Sequence, residues 1–125
     1  AFKLGGAAAL PPYAYTKQEL RAAPKTKVGA DAAAVGRSVF HRYCFGCHGR
    51  EARGNRIQPD LRYSAYLDNG LWDKVVLDGV LTGLGMVSFK DVVTPEHAEA
   101  LRQYVILEAQ RADGTTARDD PGPVQ

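Results

Sequence analysis

Two thiols and an imidazole stand together in Cys44-Phe45-Gly46-Cys47-His48. Cysteines three positions apart share one face of a helical turn, and the histidine follows directly after the second. Four kinds of chemistry compete for such a set. A structural disulfide uses both sulfurs but leaves His48 idle, and closing so short a loop gains little from restricting the unfolded chain. A dithiol redox pair of the thioredoxin kind expects a neighbouring βαβ pattern, and this sequence is poor in alternating apolar strands. A zinc site needs four ligands, and the remaining histidines, His41 and His97, do not pair into a second half-site. The fourth reading occupies every residue. Both thiols add to the two vinyl groups of one porphyrin and the imidazole points at its iron, the CxxCH attachment of a covalent c-type haem.

An iron held by His48 on one face needs a ligand on the other. Met86 is the only methionine in the chain, and it follows Gly83-Leu84-Gly85 in a glycine-punctuated loop able to carry a thioether to the distal face. His41 lies on the attachment helix near the proximal side, and His97 falls in the first turn of the final helix, where it should face solvent. Histidine–methionine ligation raises the reduction potential relative to two histidines and closes the iron to small molecules, which suits electron transfer. Buried haem propionates need charge-assisted donors, and Trp72 with one or more of Arg50, Arg53, Arg56 and Arg62 could supply them. Tyr43, Tyr63 and Tyr66 read as haem-packing or surface residues. The porphyrin edge beside the cysteines should lie near the surface, rimmed by Phe45, Gly46 and the loop from Gly85 to Val87.

The elements that must position these groups read as helices. Asp31 can cap a helix through Ala32, Val35, Gly36, Val39, Phe40 and Tyr43 that delivers Cys44 to the haem. Asn69-Gly70 punctuates a second helix through Leu71, Trp72, Val75, Val76 and Leu77, ended by Gly79. Thr94-Pro95 starts a long final helix whose Ala98, Leu101, Tyr104, Val105 and Ala109 form a buried stripe. Glycine inside a helix costs about 0.5–1 kcal/mol relative to alanine, so Gly36 calls for a reason. A close crossing with the final helix provides one, with Phe40 and Tyr104 stacked beside the contact.

At 125 residues the chain has room for one domain, with the porphyrin as part of its core. Residues 1–29, basic and marked by Gly5-Gly6, Pro11-Pro12 and Pro24, read as a linker and the remnant of a preceding domain. Within it Thr16-Lys17-Gln18-Glu19 has the form of a capping box for a short helix to about Ala23. The core spans 30–111, and 112–125 reads as an irregular tail. A formal charge of +2 falls close to neutral with propionates added, which argues against steering toward nucleic acid or an anionic membrane. No apolar run approaches the length of a membrane span. No signal peptide opens the chain although this kind of attachment takes place outside the bacterial cytoplasm, so a mature, processed or excised chain is expected.

Gly36, Phe40, Cys44, Cys47, His48, Pro59, Leu61, Met86, Leu101 and Tyr104 resemble, in order and spacing, the framework of the small mono-haem cytochromes c. The resemblance implies an all-α cytochrome c fold with its first and last core helices crossing. It implies His48 and Met86 as axial ligands, a Pro59 carbonyl accepting a hydrogen bond from the His48 ring, and Leu61 against the porphyrin. More closely, FHRYCFGCHG, QPDLRYS and WDKVVLDGVLTGLGMVSFKDVVTPEHAEALRQYVI are similar to the carboxy-terminal cytochrome domain of quinohaemoprotein alcohol dehydrogenases. AFKLGGAAALPP resembles the last strand of the propeller domain and the start of the interdomain linker in that family.

That resemblance implies a periplasmic electron-transfer domain, not an enzyme by itself. Its donor would be pyrroloquinoline quinone (PQQ) in a propeller domain, and its acceptor a soluble copper protein or another cytochrome. Three alternatives stand beside it. One is a free-standing periplasmic cytochrome. Another is a haem enzyme or sensor with an open sixth position, distinguished by whether Met86 stays bound. The third is a subunit of a respiratory complex, which predicts a membrane anchor.

Overall fold

The computed structural model describes residues 18–55 and 57–113, and among these the regular elements are helical, with no strand. Four α-helices form in chain order: α1 (Ala30–Tyr43), α2 (Phe45–His48), α3 (Trp72–Val76) and α4 (Pro95–Asp113). Short 3₁₀ turns fill the connections, among them Leu61–Tyr63 and Thr82–Leu84. The expected all-α architecture is the one observed.

Helix α1 buries Ala33, Gly36, Val39 and Phe40, a stripe at helical spacing. Val35 was expected on that stripe but is exposed, because it precedes Gly36 by one residue and so points about 100° away from the contact. Asp31 is not the cap. The helix begins two residues earlier than that cap implies, at Ala30, with Gly29 at the capping position and no side-chain cap of its own. The Gly29 N–H donates instead to Gln103 Oε1 of α4 at 3.1 Å, and Asp31 places its carboxylate in the first turn, where the helix dipole favours it.

Helix α4 starts as its sequence dictates. Thr94 Oγ1 accepts the His97 N–H at 3.1 Å, and Pro95 occupies the first turn, where its missing N–H is not needed. Ala98, Leu101, Tyr104, Val105, Ile106 and Ala109 are buried along it. The helix runs to Asp113, two residues past the expected end of the core at 111, while residues 114–125 of the expected tail lie outside the described residues.

The two long helices meet backbone to backbone. A β-carbon on Gly36 would overlap the Ala100 carbonyl oxygen and stand 2.5 Å from its carbon and 2.9 Å from the Leu101 nitrogen. Beside that contact the Phe40 and Tyr104 rings sit 5.4 Å apart, tilted by 53°. Helix α3 joins the pair through Trp72, whose Nε1–H donates to the Ala98 carbonyl at 2.8 Å.

Residues 18–29 are not the free linker that their composition indicates. Residues 18–23 contain no helix, and Thr16 and Lys17 of the expected capping box lie outside the described residues. A helix this short is marginal by itself, and from Ala23 onward the backbone is bonded to α4. Asp113 Oδ2 accepts the Ala23 N–H at 2.8 Å, and Gln110 Nε2 donates to the carbonyls of Pro24 and Thr26 at 2.7 and 2.9 Å. Ala23 and Val28 pack on the core from this strap.

Gly36→Ala should therefore lower stability in denaturant unfolding by about 3 kcal/mol, the upper end of the cost of an overpacked core, because the new methyl meets backbone and not a movable side chain. A change within about 0.5 kcal/mol would show that the helices do not cross at this residue.

Candidate functional site

The attachment turn continues α1 after one irregular residue. The Cys44 N–H still donates to the Phe40 carbonyl at 2.8 Å, and the Cys44 carbonyl accepts from Cys47 and His48 at 3.2 and 2.9 Å. Both sulfurs therefore ride on one turn, and both cysteines are free thiols. Cys44 is buried and Cys47 exposed. Burial, reinforced by the neighbouring Cys47, pushes the Cys44 thiol up to about 12, so that sulfur stays neutral at physiological pH.

His48 is half-buried, and desolvation lowers its pKa, which favours the neutral imidazole that can bind a metal. Its Nδ1 is buried without a hydrogen-bond partner among the described residues. The expected bond from that ring to the Pro59 carbonyl is therefore not made here. The surrounding loop nevertheless brings Pro59 close. The Gly54 N–H donates to the His48 carbonyl at 2.7 Å, and a β-carbon on Gly54 would stand 2.5 Å from both the Gln58 and Pro59 oxygens. Gly54 has φ +71°, so at this position only a glycine satisfies both the positive dihedral and the close approach. Glu51 (φ 54°) and Ala52 (φ 59°) also turn left-handed in this loop, at a cost of about 1–2 kcal/mol each. Burial of the Ala52 methyl holds the bend in place.

Asp60 anchors the next segment. Its carboxylate accepts the Arg62 backbone N–H at 3.0 Å and binds the Arg62 guanidinium through Nε and Nη2, at 2.7 Å for the latter. That fork holds the Arg62 pKa above its ordinary value. Leu61, between the two, is half-buried against the core, as are Tyr43, Tyr66, Met86 and Phe89. Met86 follows the turn Thr82–Leu84, which Gly85 closes with its N–H on the Thr82 carbonyl at 3.0 Å.

Several sequence expectations change. Trp72 is not a propionate donor in this arrangement, because an indole has a single N–H and this one is spent on the Ala98 carbonyl. Arg62 is committed to Asp60, and exposed Arg53 to Glu51 at 3.0 Å. Arg50 is exposed, and Arg56 lies outside the described residues. Tyr63 is half-buried with the Arg62 guanidinium over its ring. His41 and His97 are both exposed, as their places on α1 and α4 require. Phe45, Leu84 and Val87 are exposed apolar residues at the attachment turn and the methionine loop. Gln18 and Gly54 were missed. Gly54 carried only the signal of a glycine in a polar run, and Gln18 none.

The donor set fits a haem. Two thiols share one turn, a neutral imidazole with an orphaned buried Nδ1 follows them, and a thioether lies half-buried on the same apolar core. A helical domain with such a turn has the build of a c-type cytochrome.

Comparison with known proteins agrees. Residues 31–105 match the family described as cytochrome c oxidase, cbb3-type, subunit III, and the chain belongs to this family of cytochrome c domains. It is 33% identical over 106 residues to a quinohemoprotein alcohol dehydrogenase of Pseudomonas putida, covering 84% of this chain and 15% of that protein. It is 34% identical over 120 residues to the dehydrogenase subunit of an alcohol dehydrogenase (quinone) from Acetobacter aceti, covering 95% of this chain and 16% of that protein. A cbb3-type cytochrome c oxidase subunit of Rubrivivax gelatinosus is 34% identical over 77 residues, covering 60% of this chain and 25% of that subunit. The chain thus spans about one sixth of the length of the alcohol dehydrogenase relatives. Its family carries covalent haem c, and its role is electron transfer.

Trp72→Phe should lower stability by about 1 kcal/mol, the worth of one hydrogen bond, while the visible spectrum and reduction potential stay as in the parent chain. A shifted potential at retained fold would return Trp72 to the haem.

Proposed function

We propose that Cys44 and Cys47 form the two thioethers and that His48 and Met86 are the axial ligands. The observation that carries this reading is that all four residues fall inside the matched stretch 31–105. When bound, haem c supplies a one-electron iron couple. Desolvation keeps the His48 imidazole neutral and its lone pair available. The Met86 thioether, a soft donor, would raise the potential above that of a bis-histidine iron and would close the iron to small molecules. Leu61, Tyr66 and Phe89, half-buried against the same core as Met86, would keep water from the apolar side of the site. Phe45, Leu84 and Val87 give an apolar rim where a redox partner can approach.

By itself the chain relays single electrons and does no substrate chemistry. Its place is the cytochrome domain of a periplasmic quinohaemoprotein alcohol dehydrogenase, taking electrons one at a time from PQQ in a propeller domain. A soluble copper protein or another cytochrome then accepts them. The names of the Pseudomonas and Acetobacter relatives support this. The family description and the Rubrivivax relative favour a second reading, an electron-carrying subunit of a terminal oxidase. No helix among the described residues is long and apolar enough to cross a membrane. A propeller encoded in frame before Ala1 would decide for the first reading.

Haem should remain with the purified chain through acid–organic extraction, and replacing Cys44 and Cys47 together should abolish that retention. Haem that extracts freely from the intact chain would refute covalent attachment. Met86→Ala should remove the weak sulfur-to-iron charge-transfer band of the ferric protein, lower the potential and admit added ligands. An unchanged spectrum would move the sixth ligand elsewhere, with His97 the first to test.

A further inference from the structure

Gln18 and Asp60 are 42 residues apart in sequence, yet their polar groups close on each other twice. Gln18 Nε2 donates to the Asp60 carbonyl at 2.7 Å, and the Asp60 N–H donates to Gln18 Oε1 at 2.8 Å. Only one orientation of the carboxamide satisfies both bonds, and both residues are half-buried, where an unmade bond is costly. The Asp60 carboxylate is meanwhile held by Arg62. Every polar group of Asp60 therefore has a partner, and its backbone is fixed from two directions. The residues on either side of it are Pro59 and Leu61. Pro59 stands against Gly54, which is bonded to the His48 carbonyl, and Leu61 packs on the core.

We propose that Gln18 is a positioning residue: its carboxamide clamps the Asp60 backbone and so sets where the Pro59 carbonyl and Leu61 stand beside His48. Neither the Arg62 fork nor the strap bonds from Gln110 can replace it. The fork holds the Asp60 side chain and the Arg62 N–H, and Gln110 grips the strap at Pro24 and Thr26, far along the chain from Gln18. A displacement of the strap at Gln18 reaches Pro59 through two hydrogen bonds. The inference rests on the reading of His48 as an iron ligand. The His48 Nδ1 is unpartnered among the described residues, and the Pro59 carbonyl is the acceptor we propose for it once iron holds the other ring nitrogen. Such a bond would make the imidazole a stronger donor and favour the oxidised iron, so loosening that carbonyl would favour the reduced one.

The test compares Gln18→Ala with Gln110→Ala in the full haem-loaded chain. Gln18→Ala should speed exchange of the Asp60 amide hydrogen at least tenfold. It should also shift the electron equilibrium toward the reduced form by about threefold, close to 30 mV at 59 mV per tenfold for one electron. Gln110→Ala should lower the melting temperature at least as much and leave both readouts unchanged. Gln18→Glu keeps the acceptor for the Asp60 N–H and should restore slow exchange at that amide. An unchanged or lowered potential in Gln18→Ala, or an equal shift in Gln110→Ala, overturns the proposal. The Asp60 exchange reports on the clamp whatever ligates the iron. Failure of the His48 reading would appear separately, as an unchanged haem spectrum in His48→Ala.

Discussion

Two helices in this chain touch along their backbones, at the point where Gly36 meets the Ala100–Leu101 peptide. Helices usually pack 8–10 Å apart with side chains between them, and an approach this close is open only to a residue without a β-carbon. The exchange is favourable because it seats Phe40 and Tyr104 side by side in the core, each almost wholly removed from water. The rest of the architecture follows from the crossing. It fixes the line along which α1 travels, and eight residues on from Gly36 that line becomes Cys44. Helix α4, held from the other side, then serves as a rail. It accepts the Trp72 indole at Ala98, the start of α1 at Gln103 and the Ala23 N–H at Asp113, and it donates to the strap's carbonyls from Gln110.

The site depends on a second constraint, the path of the chain between His48 and Leu61. Regular helix would carry these residues away from the attachment turn. Left-handed residues at Gly49, Glu51, Ala52 and Gly54 instead fold the loop back, so that the Pro59 carbonyl stands against Gly54. Two of these residues are not glycine, and burial of Ala52 together with the Gly54 bond to His48 offsets their strain. Asp60 then stops the loop from relaxing, with its backbone tied to Gln18 and its side chain to Arg62. Desolvation acts on the same region. It raises the pKa of the Cys44 thiol and lowers that of His48, so before attachment both groups favour their uncharged forms in an apolar setting suited to a porphyrin.

Much of this was legible in the amino-acid sequence because the signals are local. The spacing of Cys44, Cys47 and His48 is a statement about one helical turn. Thr94-Pro95 sets the start of α4 through a side chain and a missing N–H that act within three residues. Gly36 announced a close crossing because glycine inside a helix is unfavourable without one. The uniqueness of Met86 singled it out before any distance was known. The matched family and its relatives agree with the cytochrome reading that these residues carry.

What the sequence could not decide were the contacts whose partners lie far along the chain. Asp31 is a good capping residue by local rules, but Gln103 from α4 took the Gly29 N–H and moved the helix start. The capping box at residue 16 predicted a short helix to about Ala23, yet residues 18–23 are not helical and from Ala23 onward the strap's backbone is bonded to α4. Trp72 offered a donor to any buried acceptor, and only the packing of α3 on α4 assigned that donor to Ala98. Gln18 has no local signature, because a carboxamide suits any peptide group of matching geometry and only the fold brings Asp60 to it. Spacing along the chain determined which residues share a turn and which chemistry they can do; tertiary structure decided which donor meets which acceptor, because hydrogen bonds depend on position in space.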